Sequence, residues 1–255
     1  MKIIVCCKVV PEEQDITVDS SRQIDVSRAT AKISQYDLNA IECAVELAGA
    51  DGEVVALTVG PAKWLDNTKI RKDILSRGAA RLEIIMDNAL ENAMPLATAE
   101  TLAKAAEKIG FDLIICGEGS GDLYAQQTGV LLGEILGVPS INAISSIKIE
   151  GNSAIAERAL EQETQVLEFP LPAVVSVTSD INTPRVPTMK AILGAGKKPV
   201  SIQDLAAIGA KPEDASVVVS ILAPEAGHRE NKIFQGEDEK ALAEFTSIVS
   251  KLLKS

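Results

Sequence analysis

The chain has one histidine, one tryptophan and only 3% aromatic residues in 255 positions. With His228 as the sole imidazole, set in a polar C-terminal stretch, neither a histidine-built metal site nor a histidine general base has support. Long apolar runs are missing too. The longest, Lys2-Ile3-Ile4-Val5-Cys6-Cys7 and Pro172-Ala173-Val174-Val175-Ser176-Val177, are strand-length and fall far short of the roughly 20 residues that span a bilayer. Positive charge is scarce: 25 Lys and Arg face 36 Asp and Glu, for a net charge of -11. That balance argues against a nucleic-acid backbone as partner, because such binding needs clustered cations; its simplest reading is solubility. Four cysteines form no C-x-x-C pair, and Cys6 and Cys7 project to opposite faces of any strand, so reduced structural thiols are expected. The opening residues enter a strand without a charged n-region, apolar h-region and small-residue cleavage site, and the expected location is cytoplasmic.

At 46% hydrophobic, the chain can bury a sizeable core. Its first 140 or so residues alternate strand and helix signals. Strands are expected near 2–9, 53–59, 81–86, 112–116 and 138–143. A helix follows Ser34, which with Asp37 approximates a capping box, and carries apolar Leu38, Ile41, Ala44, Val45 and Ala48 at helical spacing. Two more helices are expected at about 62–77 and 95–109, each stopped by a glycine, Gly78 and Gly110. The fold class is therefore α/β: a mostly parallel sheet flanked by helices. Beyond residue 143, alternating polar and apolar residues around Gly151-Asn152 predict a hairpin extension. A long irregular stretch follows at 181–199, and from residue 201 come a short helix, a strand-like ASVVVSILA and a last amphipathic helix at about 237–254. Residues 1–199 are expected to form the α/β domain, and 200–255 an arm that packs on another chain.

Two stretches carry the functional signal. CGEGSGDLYAQQTG, residues 116–129, places Gly117, Gly119 and Gly121 between a strand and a helix, where backbone N–H groups and a helix dipole favour an anion. Ligands of open α/β sheets collect at this edge. The spacing is G-x-G-x-G-D, however, not G-x-G-x-x-G, and no G-x-x-x-x-G-K-[ST] occurs, so neither a conventional dinucleotide fingerprint nor a P-loop is present. Taken alone the turn is as readily a plain connector. Ser120, Asp122, Gln126, Gln127 and Thr128 add polar groups where the helix begins, suited to ribose or phosphate. The second stretch, DINTPRVPTMKAILGAGKKP at 180–199, reads either as a solvated connector or as a docking loop through apolar Met189, Ile192 and Leu193.

Together these pieces, with KIIVCCKVVPEEQDI, AKISQYDLNAIECAVEL, VVALTVGPA, IRKDILSRGA and MKAILGAGKKP in order along the chain, resemble the beta subunit of electron transfer flavoproteins, most closely the FixA-like branch. The resemblance implies a heterodimer with an alpha subunit that holds a redox-active FAD at the interface. The beta subunit would bind a second nucleotide: AMP in ordinary members, a second FAD in electron-bifurcating ones. The pattern D-x-x-x-x-Q-x-G is matched by Asp122, Gln127 and Gly129. Where bifurcating members have D-G-D-T-A-Q-V-G-P, this chain has Leu123, Tyr124 and Val130 in place of the Gly, the Asp and the Pro. The resemblance also places Cys6, Lys8, Ser34, Tyr36, Asp37 and Val59 at the nucleotide pocket, although Cys6 and Val59 equally suit core packing. It places Arg158 and Glu161 facing the alpha subunit and its flavin, and Met189 where the family has a leucine anchor for a partner dehydrogenase. The implied partner is an acyl-CoA or enoyl-CoA dehydrogenase or reductase, with NADH added in the bifurcating case. The chain itself would be an electron-carrier subunit without its own turnover site.

One alternative is a freestanding adenine-nucleotide-binding protein of the stress type, a homodimer that binds ATP without a flavoprotein. A nucleotide hydrolase or ligase is disfavoured, since the chain has no S-G-G-x-D-S loop, nucleophile elbow or suitable histidine.

Overall fold

A computed structural model describes residues 1–225, 227, 231–234 and 238–253; His228 lies outside the described residues. In chain order the elements begin with β1 (Lys2–Cys6), β2 (Val9–Pro11), β3 (Thr17–Val18), β4 (Ile24–Asp25), β5 (Ala31–Ile33), α1 (Gln35–Ala48) and β6 (Glu53–Gly60). They continue with α2 (Ala62–Leu65), α3 (Thr68–Ser76), β7 (Arg81–Met86), α4 (Pro95–Ile109), β8 (Leu113–Gly117), α5 (Thr128–Leu136) and β9 (Ser140–Glu150). The remainder is β10 (Ser153–Ala159), β11 (Thr164–Pro170), β12 (Ala173–Val177), α6 (Met189–Ala195), β13 (Val200–Gln203), α7 (Leu205–Ile208) and α8 (Glu239–Leu252).

Nine strands form one sheet in the order β11-β10-β9-β12-β8-β1-β6-β7-β13. Only β10 runs against its neighbours; every other pairing in this sheet is parallel. The central strands are apolar along their whole length because both faces are covered. Ile3 and Val5 of β1, with Leu113 and Ile115 of β8, pack in a cluster that includes Ile41 and Ala44 of α1, Ile70 and Ile74 of α3, and Ala195 of α6. The alternate residues Ile4, Cys6, Ile114 and Cys116 pack with Ala99, Leu102 and Ala106 of α4, Leu132 of α5, and Leu205 and Ile208 of α7. Cys6 and Cys7 fall in different clusters, as the two-residue period of a strand requires, and all four cysteines are free and buried.

Several sequence expectations shift. The helix expected at 62–77 is two helices, because the Asn67 side chain accepts the N–H groups of Lys69 and Ile70 and starts α3 afresh. The stretch expected to be irregular at 181–199 contains α6, begun by Thr188, whose hydroxyl accepts from Ala191 N–H. The sheet continues past residue 199: β13 pairs with β7, and Leu205, Ile208 and Ala210 are buried, so the compact body extends through α7 and Ala210. ASVVVSILA forms no strand beyond a single bridge between Gln23 and Leu222. The last helix is Glu239–Leu252, and the ends expected for it at 237 and 254 lie outside the described residues. The hairpin is present as β9 and β10, turning at Gly151, which has φ +62°. No described helix is long and apolar enough to cross a membrane.

Candidate nucleotide site

From β1 the chain proceeds through α1 to β6 on one side of the sheet; from β8 it proceeds through α5 to β9 on the other. The connections after these adjacent strands diverge, which opens a crevice at their carboxyl ends, the position where open α/β sheets bind ligands. Residues 116–129 leave β8 at this point, and Lys8 follows β1 there. The start of α1 supplies Ser34, Tyr36 and Asp37.

Hydrogen bonds tie these three segments together. The Asp37 carboxylate accepts the backbone N–H of Lys8 at 2.7 Å and that of Gly117 at 3.3 Å. The Ser34 hydroxyl accepts the N–H of Gly121 at 3.3 Å. The capping box expected from Ser34 and Asp37 is therefore not formed: Ser34 caps no N–H of its own helix, and both side chains reach across to the other segments. Burial pushes the Asp37 carboxyl from 3.8 up to about 7, against the pull of its two N–H donors. Burial would raise Asp122 as well, but the Lys8 ammonium at 2.7 Å outweighs it and holds that carboxyl below its usual value.

The glycines serve space rather than dihedral freedom. A Cβ on Gly117 would stand 2.6 Å from Asp37 Oδ1, and one on Gly119 would stand 2.4 Å from the Tyr124 ring; one on Gly121 would meet only an ordinary contact with Val10. Left-handed backbone falls instead at Tyr124, φ +45°, and Gln126, φ +57°. The Tyr124 ring packs beside Tyr36 with centroids 5.0 Å apart. Burial and the nearby Glu118 carboxylate raise the Tyr124 phenol above its usual value. Gly129 lets α5 approach β12, since a Cβ there would lie 2.2 Å from Ser176 Oγ.

What remains for a ligand is the start of α5. Gln127 at its N-cap makes no side-chain cap hydrogen bond, which leaves the first-turn N–H groups, with the helix dipole behind them, without a side-chain cap. This is a donor set suited to one phosphate, with Asp122 and Ser120 as acceptors for hydroxyls.

Other residues lie elsewhere. Cys6 is buried under the crevice, where its thiol pairs with that of Cys116; this bond, with burial, pushes the Cys6 thiol well above its usual range. Val59 packs at the edge of the same core cluster. Arg158, on β10, is half-buried with its Nε lacking a protein partner, and Glu161 is exposed beyond the strand end. Met189, Ile192 and Leu193 are exposed on α6, and exposed Val186 continues the apolar strip. Sequence reasoning missed Val186. It also missed Asn39 and Glu42 of α1, which hold the segment before α6; its polar Asn and Glu inside an apolar helical pattern were the available signal.

Fold and crevice define a doubly wound α/β module with a candidate ligand site at its strand ends. Residues 22–208 match the family model of the electron transfer flavoprotein domain, and the chain belongs to that family. The match supports a beta-type subunit and carries with it a role in electron transfer, in preference to a freestanding stress-type protein. It ends at Ile208, the last residue of α7.

Proposed function

We propose that this chain is the beta subunit of a heterodimeric electron transfer flavoprotein of the FixA-like branch, which holds a nucleotide at the carboxyl ends of β1 and β8 and presents α6 to an acyl-CoA or enoyl-CoA dehydrogenase or reductase. The observation that carries this reading is the convergence of Lys8, Asp37, Asp122 and the uncapped start of α5 at the crevice of a family member.

AMP is the favoured occupant. One helix start and one lysine, already ion-paired with Asp122, balance a single phosphate better than a diphosphate. Thr128, Gly129 and Gln127 would hold the phosphate from the start of α5, with Asp122 and Ser120 on the ribose. FAD, when bound at the subunit interface, supplies the electron chemistry. This chain's residues provide position: β9 and β10 offer Arg158 to the alpha subunit, and α8 would belong to the arm that packs on it. The strip Val186, Met189 and Leu193 provides an apolar anchor for transient docking.

The test is to co-express the chain with its alpha subunit, denature the purified heterodimer and quantify released nucleotides. One FAD with one AMP is expected. Two FAD per heterodimer would replace AMP by a second flavin and open electron bifurcation, with NADH as a further partner. Release of no nucleotide beyond one FAD would overturn the crevice reading.

A further inference from the structure

We propose that α1 couples the nucleotide crevice to the docking segment, with Asn39 and Glu42 as the positioning residues that hold that segment; this rests on the nucleotide reading given above. The same helix is fastened at both places. Its first turn binds the crevice through Asp37, which accepts from Lys8 and Gly117. Next along, the Asn39 amide donates to the carbonyls of Asn182 at 2.9 Å and Ser179 at 3.1 Å, and Asn182 Nδ2 donates back to the Asn39 carbonyl at 3.1 Å. Three residues further, on the same helix face, the Glu42 carboxylate receives three donors from Arg185: its backbone N–H at 3.0 Å, Nε at 2.6 Å and Nη2 at 2.7 Å.

The Glu42 clamp is strong in kind. The guanidinium is bidentate, the glutamate side chain is only 8% exposed, and removal of one partner would leave a buried charge unpaired. Arg185 holds the Glu42 carboxyl below its usual value by hydrogen bonding. The far end of the segment has its own anchor, since Lys198 Nζ donates to the carbonyls of Leu75 at 2.8 Å and Ala79 at 2.7 Å. Between the anchors stand Val186, Met189 and Leu193, exposed by 88%, 72% and 72%. The apolar strip thus lies on a segment fastened to α1 at its start, while α6 itself packs on the core through buried Ala195.

Asp37 and Glu42 are five residues apart, about 7.5 Å along one rigid helix. A ligand that ties residues 117–129 to the start of α1 resists opening of the first turns of α1, and those turns carry Asn39 and Glu42. The docking segment then samples fewer conformations before it meets its partner, which lowers the ordering cost of docking. By reciprocity, docking tightens the nucleotide.

Hydrogen exchange by mass spectrometry on the full chain, with and without saturating AMP, tests this. AMP is expected to slow exchange in 118–130 and also, by about fivefold, the low end of typical site-to-site coupling, in 180–195. Glu42→Gln is expected to keep the first response and lose the second, while β1 and β8 stay fully protected; Arg185→Lys, which keeps the charge but not the paired geometry, should behave alike. Slowing in 118–130 without any in 180–195 of the unaltered chain would overturn the coupling while the nucleotide site stands. No slowing in either segment would overturn the nucleotide reading and the coupling with it. An undiminished 180–195 response in both variants would remove Glu42 and Arg185 from the account.

Discussion

Lys8 and Asp122 face each other across the crevice, Nζ to Oδ2 at 2.7 Å, although one follows the first strand of the chain and the other lies in the loop after the eighth. Both side chains are partly exposed, so the pair itself adds little to stability. Its value under the nucleotide reading is the cation it keeps at the crevice. Lys8→Met is expected to change unfolding free energy by no more than about 1 kcal/mol. AMP binding should weaken by roughly tenfold, the loss of one charge-assisted hydrogen bond. Urea unfolding and AMP titration calorimetry on the same preparations read the two effects separately; equal losses in both would make Lys8 a structural residue only.

The Asp37 carboxyl gives a pH dependence with a definite sign. Its folded value of about 7 lies above the ordinary 3.8, so the folded chain holds this proton between pH 4 and 7 while the unfolded chain has released it. The contribution to stability is present at low pH and is lost as pH rises toward 7. Asp37→Asn removes the titration, so the difference between urea midpoints at pH 5 and pH 8 should narrow. An unchanged difference would show that other groups set the slope.

Gly129 and Ser176 form a testable pair. Gly129→Ala places a methyl 2.2 Å from Ser176 Oγ and should cost about 1–3 kcal/mol, the range of an overpacked core. Removing that oxygen with Ser176→Ala leaves Cβ at 3.6 Å as the nearest Ser176 atom, so the double variant should recover much of the loss. Thermal unfolding of the four proteins completes the cycle, and simple additivity would mean that the clash is relieved by backbone movement.

Met189 is exposed, so Met189→Asp should leave stability within about 0.5 kcal/mol of the parent. Docking should weaken by about 2 kcal/mol, roughly thirtyfold, if this side chain is the anchor. Electron uptake from the partner dehydrogenase, followed over a range of its concentrations, measures this; an unchanged half-saturating concentration would dismiss the anchor.

Where local rules and burial agreed, the sequence was readable. The apolar runs gave Lys2–Cys6, Glu53–Gly60, Arg81–Met86 and Leu113–Gly117 to within a few residues, and the GN turn located the β9–β10 hairpin. Legibility failed where a side chain had two uses. S-x-x-D at 34–37 is a helix-start signal, yet burial at the crevice spends both groups on Lys8, Gly117 and Gly121. The three glycines read as a ligand cradle, whereas two of them make room for Asp37 and Tyr124. Residues 181–199 read as irregular because Pro, Gly and Lys are frequent there, but Thr188 supplies a cap and Ala195 a buried contact, enough to wind one short helix. The edge strand β13 escaped notice because its four residues pair with β7 across more than a hundred positions of chain, a distance that no local pattern encodes.

The thiols have a consequence for a member of an electron transfer family. Cys6, Cys7 and Cys43 are buried and shifted away from ionisation, Cys43 to about 12, and Cys116 is buried alongside Cys6. Nucleophilic sulfur is the thiolate, and Cys6, Cys7 and Cys43 supply almost none of it at neutral pH. Alkylating reagents and peroxide should therefore pass the native chain by and mark it only after unfolding.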